Sequence, residues 1–459
     1  MAKTKILSRH QEGNGLLVQI NNAALPHPAE SQGHTADFLL FETEFGHHLF
    51  LTNGSQVYSI PGNVADDLAR SGGNHFDVLE SYGLLSPPFI SDEPILEPPI
   101  RAISLAIAQT CNLGCVYCYA QQGSFGGESR TMDRATAYGA IDLLLKEART
   151  GDRVQVTYLG GEPLANRQLL RASTEYAVSQ AAPKGVEVRF SITTNGTLLA
   201  EDDGEFFEQH GFAVTISLDG ESELHDSLRP FKGGKGSYDQ TLRRVQPLLK
   251  RQARMQVSAR VTVTPQNLAL PRILDAFVAM GFHSVGFSPM LSSPGGECEM
   301  DPDSLERMLE QMMECGREFE KSLAQGTRYP FLNIVNALRE IHKGTHRPYP
   351  CGAGAGYFGV SADGGLYACH RFVGDESGRM GDLTEGIDRP RRNAWLADRH
   401  VHFQVPCREC WARYLCGGGC HHEVLRRGRP ACDYIRGWLK YCLEAYLRTL
   451  EKCPSYFAQ

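Results

Sequence analysis

The 459-residue sequence lacks an apolar targeting segment. Its first ten residues, MAKTKILSRH, hold no continuous apolar stretch, which argues against a secretory signal. It also lacks any uninterrupted apolar run long enough to cross a bilayer. Positive charge is not in excess: 46 Lys and Arg face 53 Asp and Glu, a net charge of −7, which disfavours a nucleic-acid partner. There is no internal repeat and no low-complexity tract. With 42% hydrophobic and 22% charged residues, the composition is that of an ordinary globular protein, and the length leaves room for more than one domain. These absences predict a cytoplasmic protein with neither a membrane nor a nucleic-acid partner.

What the sequence does have is cysteine, fourteen in all. A reducing compartment disfavours a disulfide framework, so clustered cysteines read as metal sites. Three lie at 111–118, two at 298 and 315, and nine from 351 onward. Cys298 and Cys315 have no neighbour at ligand spacing and read as packing cysteines. Cys111, Cys115 and Cys118 form C-x3-C-x2-C within Thr110-Cys-Asn-Leu-Gly-Cys-Val-Tyr-Cys-Tyr-Ala120. A [4Fe–4S] cluster usually takes four thiolates, so three on one tight loop leave an iron open for a small ligand.

The hydrophobic pattern divides the chain into three parts. Residues 1–95 read as a small α+β module, with strands near 16–20, 38–41, 47–51 and 56–60 and helices near 63–70 and 75–82. Asn53-Gly54 marks a hairpin. A Pro-rich linker runs from Pro87-Pro88 to Pro98-Pro99. Residues 96–325 alternate strand and helix, with strands near 103–108, 154–159, 186–192, 213–218, 257–263 and 284–287. Intervening helices fall near 132–148, 165–182, 241–251 and 271–280. Six such units predict an α/β fold, a partial (β/α)6 TIM-type barrel. The cysteine loop follows the first strand, at the end where the active sites of β/α barrels gather. Residues 326–459 hold the remaining cysteines.

The run at 111–118, with Tyr117 as its aromatic member, resembles the signature of radical S-adenosylmethionine (SAM) enzymes. That resemblance implies that the open iron chelates SAM, whose cleavage yields a 5′-deoxyadenosyl radical. It implies SAM contacts from Tyr117 and from Gly160, Gly161 and Glu162 in Tyr158-Leu-Gly-Gly-Glu-Pro-Leu164 after the second strand. The glycines allow close backbone approach, and Pro163 also suits the first position of a helix. Asn195, in Thr193-Thr-Asn-Gly196, and Ser217, in Ser217-Leu-Asp-Gly220, are expected at the ribose. Arg260, near the fifth strand, is expected at the methionine carboxylate, which a guanidinium suits.

The C-terminal cysteines resemble the SPASM domain, which holds two auxiliary Fe–S clusters. Cys351 is followed by twelve residues, Gly364, four residues and Cys369, then by Cys407, Cys410, Cys416, Cys420 and Cys432. Zinc is the competing reading for the C-x2-C pair. The resemblance implies Cys407, Cys410, Cys416 and Cys432 on one cluster, and Cys351, Cys369 and Cys420 on the other. The cofactors are then SAM and three Fe–S clusters of the [4Fe–4S] type. The three-cysteine set is one thiolate short, because 352–360 holds no cysteine. A side chain, Cys442 or Cys453, water or a substrate thiolate are the alternatives for the fourth place, and Cys442 also rivals Cys432. His421-His422-Glu423 is expected behind a ligand or facing solvent, and Lys232-Gly-Gly-Lys-Gly-Ser237 as a loop over the barrel mouth.

The runs Cys410-Trp-Ala-Arg-Tyr-Leu-Cys-Gly-Gly-Gly-Cys-His-His-Glu423 and Cys432-Asp-Tyr-Ile-Arg-Gly-Trp438 resemble the maturases of quinohemoprotein amine dehydrogenase. That family forms thioether bridges between Cys and Asp or Glu in the dehydrogenase small subunit. The resemblance implies a peptide substrate rich in Cys and Asp or Glu, a flavodoxin or ferredoxin electron donor and other maturation proteins. In architecture the first module resembles the winged-helix-like element ahead of many peptide-modifying radical SAM enzymes, which binds a leader peptide by adding a strand; a generic small α+β cap is the alternative. Other thioether maturases, a formylglycine-generating sulfatase activator and a non-catalytic Fe–S scaffold are the alternatives. Asp219, at the end of strand four, and then His370, beside Cys369, are the expected bases for a substrate thiol.

Overall fold

A computed structural model describes residues 17–20, 38–71 and 75–458. The first ten residues, where no secretory signal is expected, lie outside them, as does the start of the strand expected at 16–20.

The N-terminal module is a four-stranded antiparallel sheet with two helices. Phe38–Thr43 pairs with Gly46–Leu51, which pairs with Gln56–Ile60, and Val18–Gln19 closes the other side. Gly54 turns the chain at a φ of +75°, as the Asn-Gly signal requires, although a short 3-10 turn replaces a two-residue hairpin. Helices Gly62–Arg70 and His75–Ser81 bury Val64, Leu68 and Leu79 against the sheet in a core of their own. The module docks on the C-terminal region: the Thr52 hydroxyl donates to Trp411 O, and Phe50 packs edge-on against the Trp411 ring.

The six expected parallel strands are present: Ala102–Gln109, Arg153–Gly160, Glu187–Thr194, Ala213–Ser217, Gln256–Val263 and Ser284–Pro289. They pair in sequence order. Val257, Ala259, Val261 and Val263 alternate toward the helices, and Ser258, Arg260 and Thr262 toward the concave face. That face is polar and open. Gln155, Thr193 and Arg260 are exposed in the middle of a sheet, and Gln155, Thr157 and Ser191 hydrogen-bond across it. A full barrel would fill this space with branched apolar side chains. The sixth strand's edge is closed by Asn333, whose amide donates to Phe287 O and accepts from Phe287 N.

The boundary expected at 325/326 falls between helices Pro302–Ala324 and Leu332–His342, yet the sheet continues past it. Tyr357–Val360 pairs parallel with Ala102–Gln109, and antiparallel strands follow. One hydrophobic core runs from the barrel into the long last helix, Cys432–Lys452. No helix among the described residues is long and apolar enough to cross a membrane.

Candidate active site

The first strand ends at Gln109 and delivers the cysteine loop to the barrel mouth. The segment 228–232 zips along that loop. Gly114 N donates to Pro230 O, Val116 N to Leu228 O and Lys232 N to Asn112 O, at 2.8–3.1 Å. The Lys232-to-Ser237 stretch thus lies over the mouth, as expected. Burial pushes Cys111 up, with smaller contributions from Glu162 and Cys118, and pushes Cys115 up to about 12 against the pull of Arg229. Three thiols sharing one desolvated space are costly as bare thiolates and suit ligation to iron, so the donor set fits a cluster.

Beneath the loop lies a buried charge cluster. The Tyr117 hydroxyl bonds the Asp219 carboxylate and accepts from Arg229 Nη1 at 2.6 Å. Arg229 and Asp219 form an ion pair at 3.7 Å, and Asp219 Oδ1 accepts from Thr262 N. Burial pushes the Asp219 carboxyl up, against the pull of Arg229. Asp219 was expected to face the barrel mouth. It is instead fully buried, with both oxygens engaged, because the unpaired Arg229 charge would otherwise stand in the same desolvated space.

Gly160 and Gly161 make their close approach to the protein's own chain. A Cβ on Gly161 would lie 2.5 Å from the Thr110 carbonyl carbon and 2.7 Å from Gly123 Cα. Gly160 has a φ of +145°. The Glu162 carboxylate is fully buried and accepts from Leu164 N, Thr194 Oγ1 and Asn195 N, at 2.7–3.0 Å. The Asn195 amide donates to Asn112 Oδ1 at 3.0 Å and to Cys111 Sγ at 3.7 Å, and its oxygen accepts from Thr197. Both side chains, expected at SAM, brace the loops of the barrel mouth. Their hydrogen-bonding capacity was needed by desolvated backbone and cysteine groups. Ser217 pairs in register with Arg260, and both belong to the open polar face, where Arg260 also bonds Ser288.

The C-terminal cysteines fall into two groups. Desolvation pushes Cys351 and Cys369 up, Cys369 to about 12, and each of the two also senses the Cys420 sulfur. Desolvation pushes Cys407 and Cys416 up, Cys407 to about 11, and each of the two also senses the Cys410 and Cys432 sulfurs. Cys407, Cys410, Cys416 and Cys432 line one cavity, and Cys420 stands on its wall as well. Among the described residues, no three Cys, His, Asp or Glu side chains converge as a single zinc ion requires. All-thiol donor sets of this kind suit Fe–S clusters. Cys442 is set apart: ten residues beyond Cys432 on one helix, it lies about 15 Å along the axis, and the charge it senses is Glu320. Cys453, at the far end of that helix, is about twice as far.

His370 follows Cys369, and its ring centre lies 5.8 Å from that of Tyr119, the neighbour of Cys118. Its Nδ1 bonds the Tyr357 hydroxyl at 2.8 Å, and that hydroxyl donates to Ser104 Oγ. Nδ1 is therefore the protonated nitrogen, and Nε2 keeps its lone pair. Burial and the Arg371 charge push this imidazole down to about 4. His421 and His422, expected behind a ligand or facing solvent, are buried against Trp395 and Phe372, since the short helix His421–Arg427 turns them inward. Arg229, Tyr357 and Arg371 were absent from the sequence reading. Their partners lie far away in the chain, and no local spacing marks them.

Residues 105–277 match the model of the Radical SAM superfamily. That match spans the first five strands of the barrel, which is similar there to a radical SAM core. An uncharacterized protein of Archaeoglobus fulgidus is 28% identical over 74% of this chain and 80% of its own length. The serine-type anaerobic sulfatase-maturating enzyme of Klebsiella aerogenes is 27% identical over 76% of this chain and 86% of its own. Among solved structures, native anSMEcpe with bound AdoMet superposes with a TM-score of 0.65 at 19% identity, covering 77% of this chain and all of that one. The same protein is also solved with AdoMet and the Cp18Cys peptide. At this identity the likeness is one of fold, and it places the barrel and the cysteine-rich region in one arrangement. SAM and Fe–S clusters are the cofactors of this fold.

Proposed function

We propose that this chain is a radical SAM peptide maturase that joins a substrate Cys sulfur to a methylene carbon of a substrate Asp or Glu. The carrying observation is the Cys351, Cys369 and Cys420 set, which has three thiols, no fourth cysteine and His370 beside it. When bound, SAM with its cluster supplies a hydrogen-abstracting radical, and the auxiliary clusters supply one-electron acceptors. Cys111, Cys115 and Cys118 would hold the SAM cluster. Cys407, Cys410, Cys416 and Cys432 would hold one auxiliary cluster, and the three-cysteine set the other. Ser217 and Arg260 offer a hydroxyl and a guanidinium to SAM from the open face. His370 Nε2 would take the substrate thiol proton, since the thiolate is the reactive form, and an imidazole so depressed in basicity needs a thiol that its surroundings make acidic.

The N-terminal module would recognise the peptide. Among the described residues, Phe38–Thr43 pairs with one strand only and leaves an edge for another. A flavodoxin or ferredoxin would supply electrons. The curated relatives favour a second reading, formylglycine formation in a sulfatase. Mass spectrometry of a small Cys-, Asp- and Glu-rich protein co-expressed with this chain separates the two. Loss of two hydrogens per bridge with sulfur retained is expected. A product with an aldehyde, whether from cysteine with its sulfur lost or from serine with two hydrogens lost, and with no fragment pair held together through sulfur, would overturn the thioether reading.

A further inference from the structure

Arg371 stands where three features meet. Its Nη1 lies 3.8 Å from Cys420 Sγ and 2.6 Å from Glu423 Oε1. Its guanidinium carbon lies 5.5 Å from the centre of the Tyr119 ring, and Tyr119 directly follows Cys118. Its side chain is 18% exposed, and Nε is buried with no hydrogen-bond partner among the described residues. A desolvated guanidinium with a spare N–H is expensive unless negative charge develops beside it. The Glu423 carboxylate, at 2.6 Å, answers part of that charge. The Cys420 sulfur answers the rest once it is a thiolate.

We propose that Arg371 is a positioning residue that sets the reduction potential of the cluster on Cys351, Cys369 and Cys420 and ties it to the SAM-site loop through Tyr119. Reduction adds one negative charge to a cluster. A fixed positive charge hydrogen-bonded to a ligand sulfur stabilises the reduced form and raises the potential. Glu423 acts in the opposite sense on the same cluster. The cation–π contact keeps the guanidinium between the two sites, so the charge belongs to the space that links them.

The inference rests on the cluster reading above, and the test keeps the two apart. Iron and sulfide analysis of the reconstituted full chain comes first, followed by EPR-monitored redox titration. Iron for one cluster only would sink the cluster reading itself. With three clusters present, Arg371→Gln should move one reduction step to more negative potential and leave the other two in place. Arg371→Lys should recover part of that shift. Glu423→Gln should move the same step the other way, and it decides the matter if Arg371→Gln fails to hold the cluster. Three steps that superimpose on the unmodified protein in the Gln variants, or shifts of the same sign, would overturn the role of Arg371.

Discussion

His370 and Asp219 are both ionisable residues placed just after a strand, and the difference between them is access. Asp219 is sealed beneath Tyr117 with Arg229, whereas His370 keeps Nε2 free of protein partners among the described residues. His370→Gln should therefore retain SAM cleavage and lose cross-linking, read by 5′-deoxyadenosine release and product mass. Asp219→Asn should act on the fold instead. It leaves Arg229 buried without a counter-charge, at a cost of about 3 kcal/mol in urea unfolding. A stable, iron-replete Asp219→Asn protein that cleaves SAM without cross-linking would return Asp219 to the chemistry.

His225 gives the residue scale its pH dependence. Its Nδ1 accepts from Asp219 N and its Nε2 faces Ser237 Oγ, whose own proton goes to Arg229 O. This is the neutral imidazole, pushed down to about 3 by burial and by Arg229. A depressed histidine binds fewer protons when folded than when unfolded. Its contribution is complete above the unfolded value near 6.5 and is lost as pH falls from there toward about 3. Within that window its share of the slope approaches about 1.4 kcal/mol per pH unit. A His225→Gln protein whose stability falls as steeply over this window would contradict the assignment.

At the scale of elements, the barrel mouth is built by loops that brace one another. Thr110, Gly123 and Gly161 meet backbone to backbone, so no side chain fits between them. Gly161→Ala should displace the cysteine loop and remove the SAM cluster, about four irons of the total, while the auxiliary clusters remain. Full iron content in that variant would mean that the loop yields without losing its ligand geometry. The helix Cys432–Lys452 offers a matched contrast. Cys432→Ala should cost one auxiliary cluster, whereas Cys442→Ala should cost none and only loosen the packing, since Cys442 is a fully buried core residue.

At the scale of the whole molecule, two cysteine groups in the C-terminal region and one at the barrel mouth call for about twelve irons. Anaerobic iron, sulfide and zinc analysis checks this, and zinc matching the C-terminal cysteines would overturn it. The sheet carries those groups as one body, because Tyr357–Val360 continues the barrel beside its first strand. Tyr357 thereby reaches Ser104, and His370 is set at the edge of the open face rather than in a separate domain.

The sequence by itself determined what local spacing can encode. The cysteine intervals, the Gly-Gly-Glu-Pro turn and the two-residue alternation of six strands each act within a few residues, and each is found where the pattern puts it. Helix and strand periods also placed the small N-terminal module. Packing between distant segments sets which polar and charged groups face one another. Asp219 meets Arg229, Glu162 meets Asn195, and Arg371 meets both Tyr119 and Cys420. These partners are far apart in the chain, and desolvation makes each partner decisive: the same carboxylate is a base when open to solvent and a brace when buried beside a guanidinium.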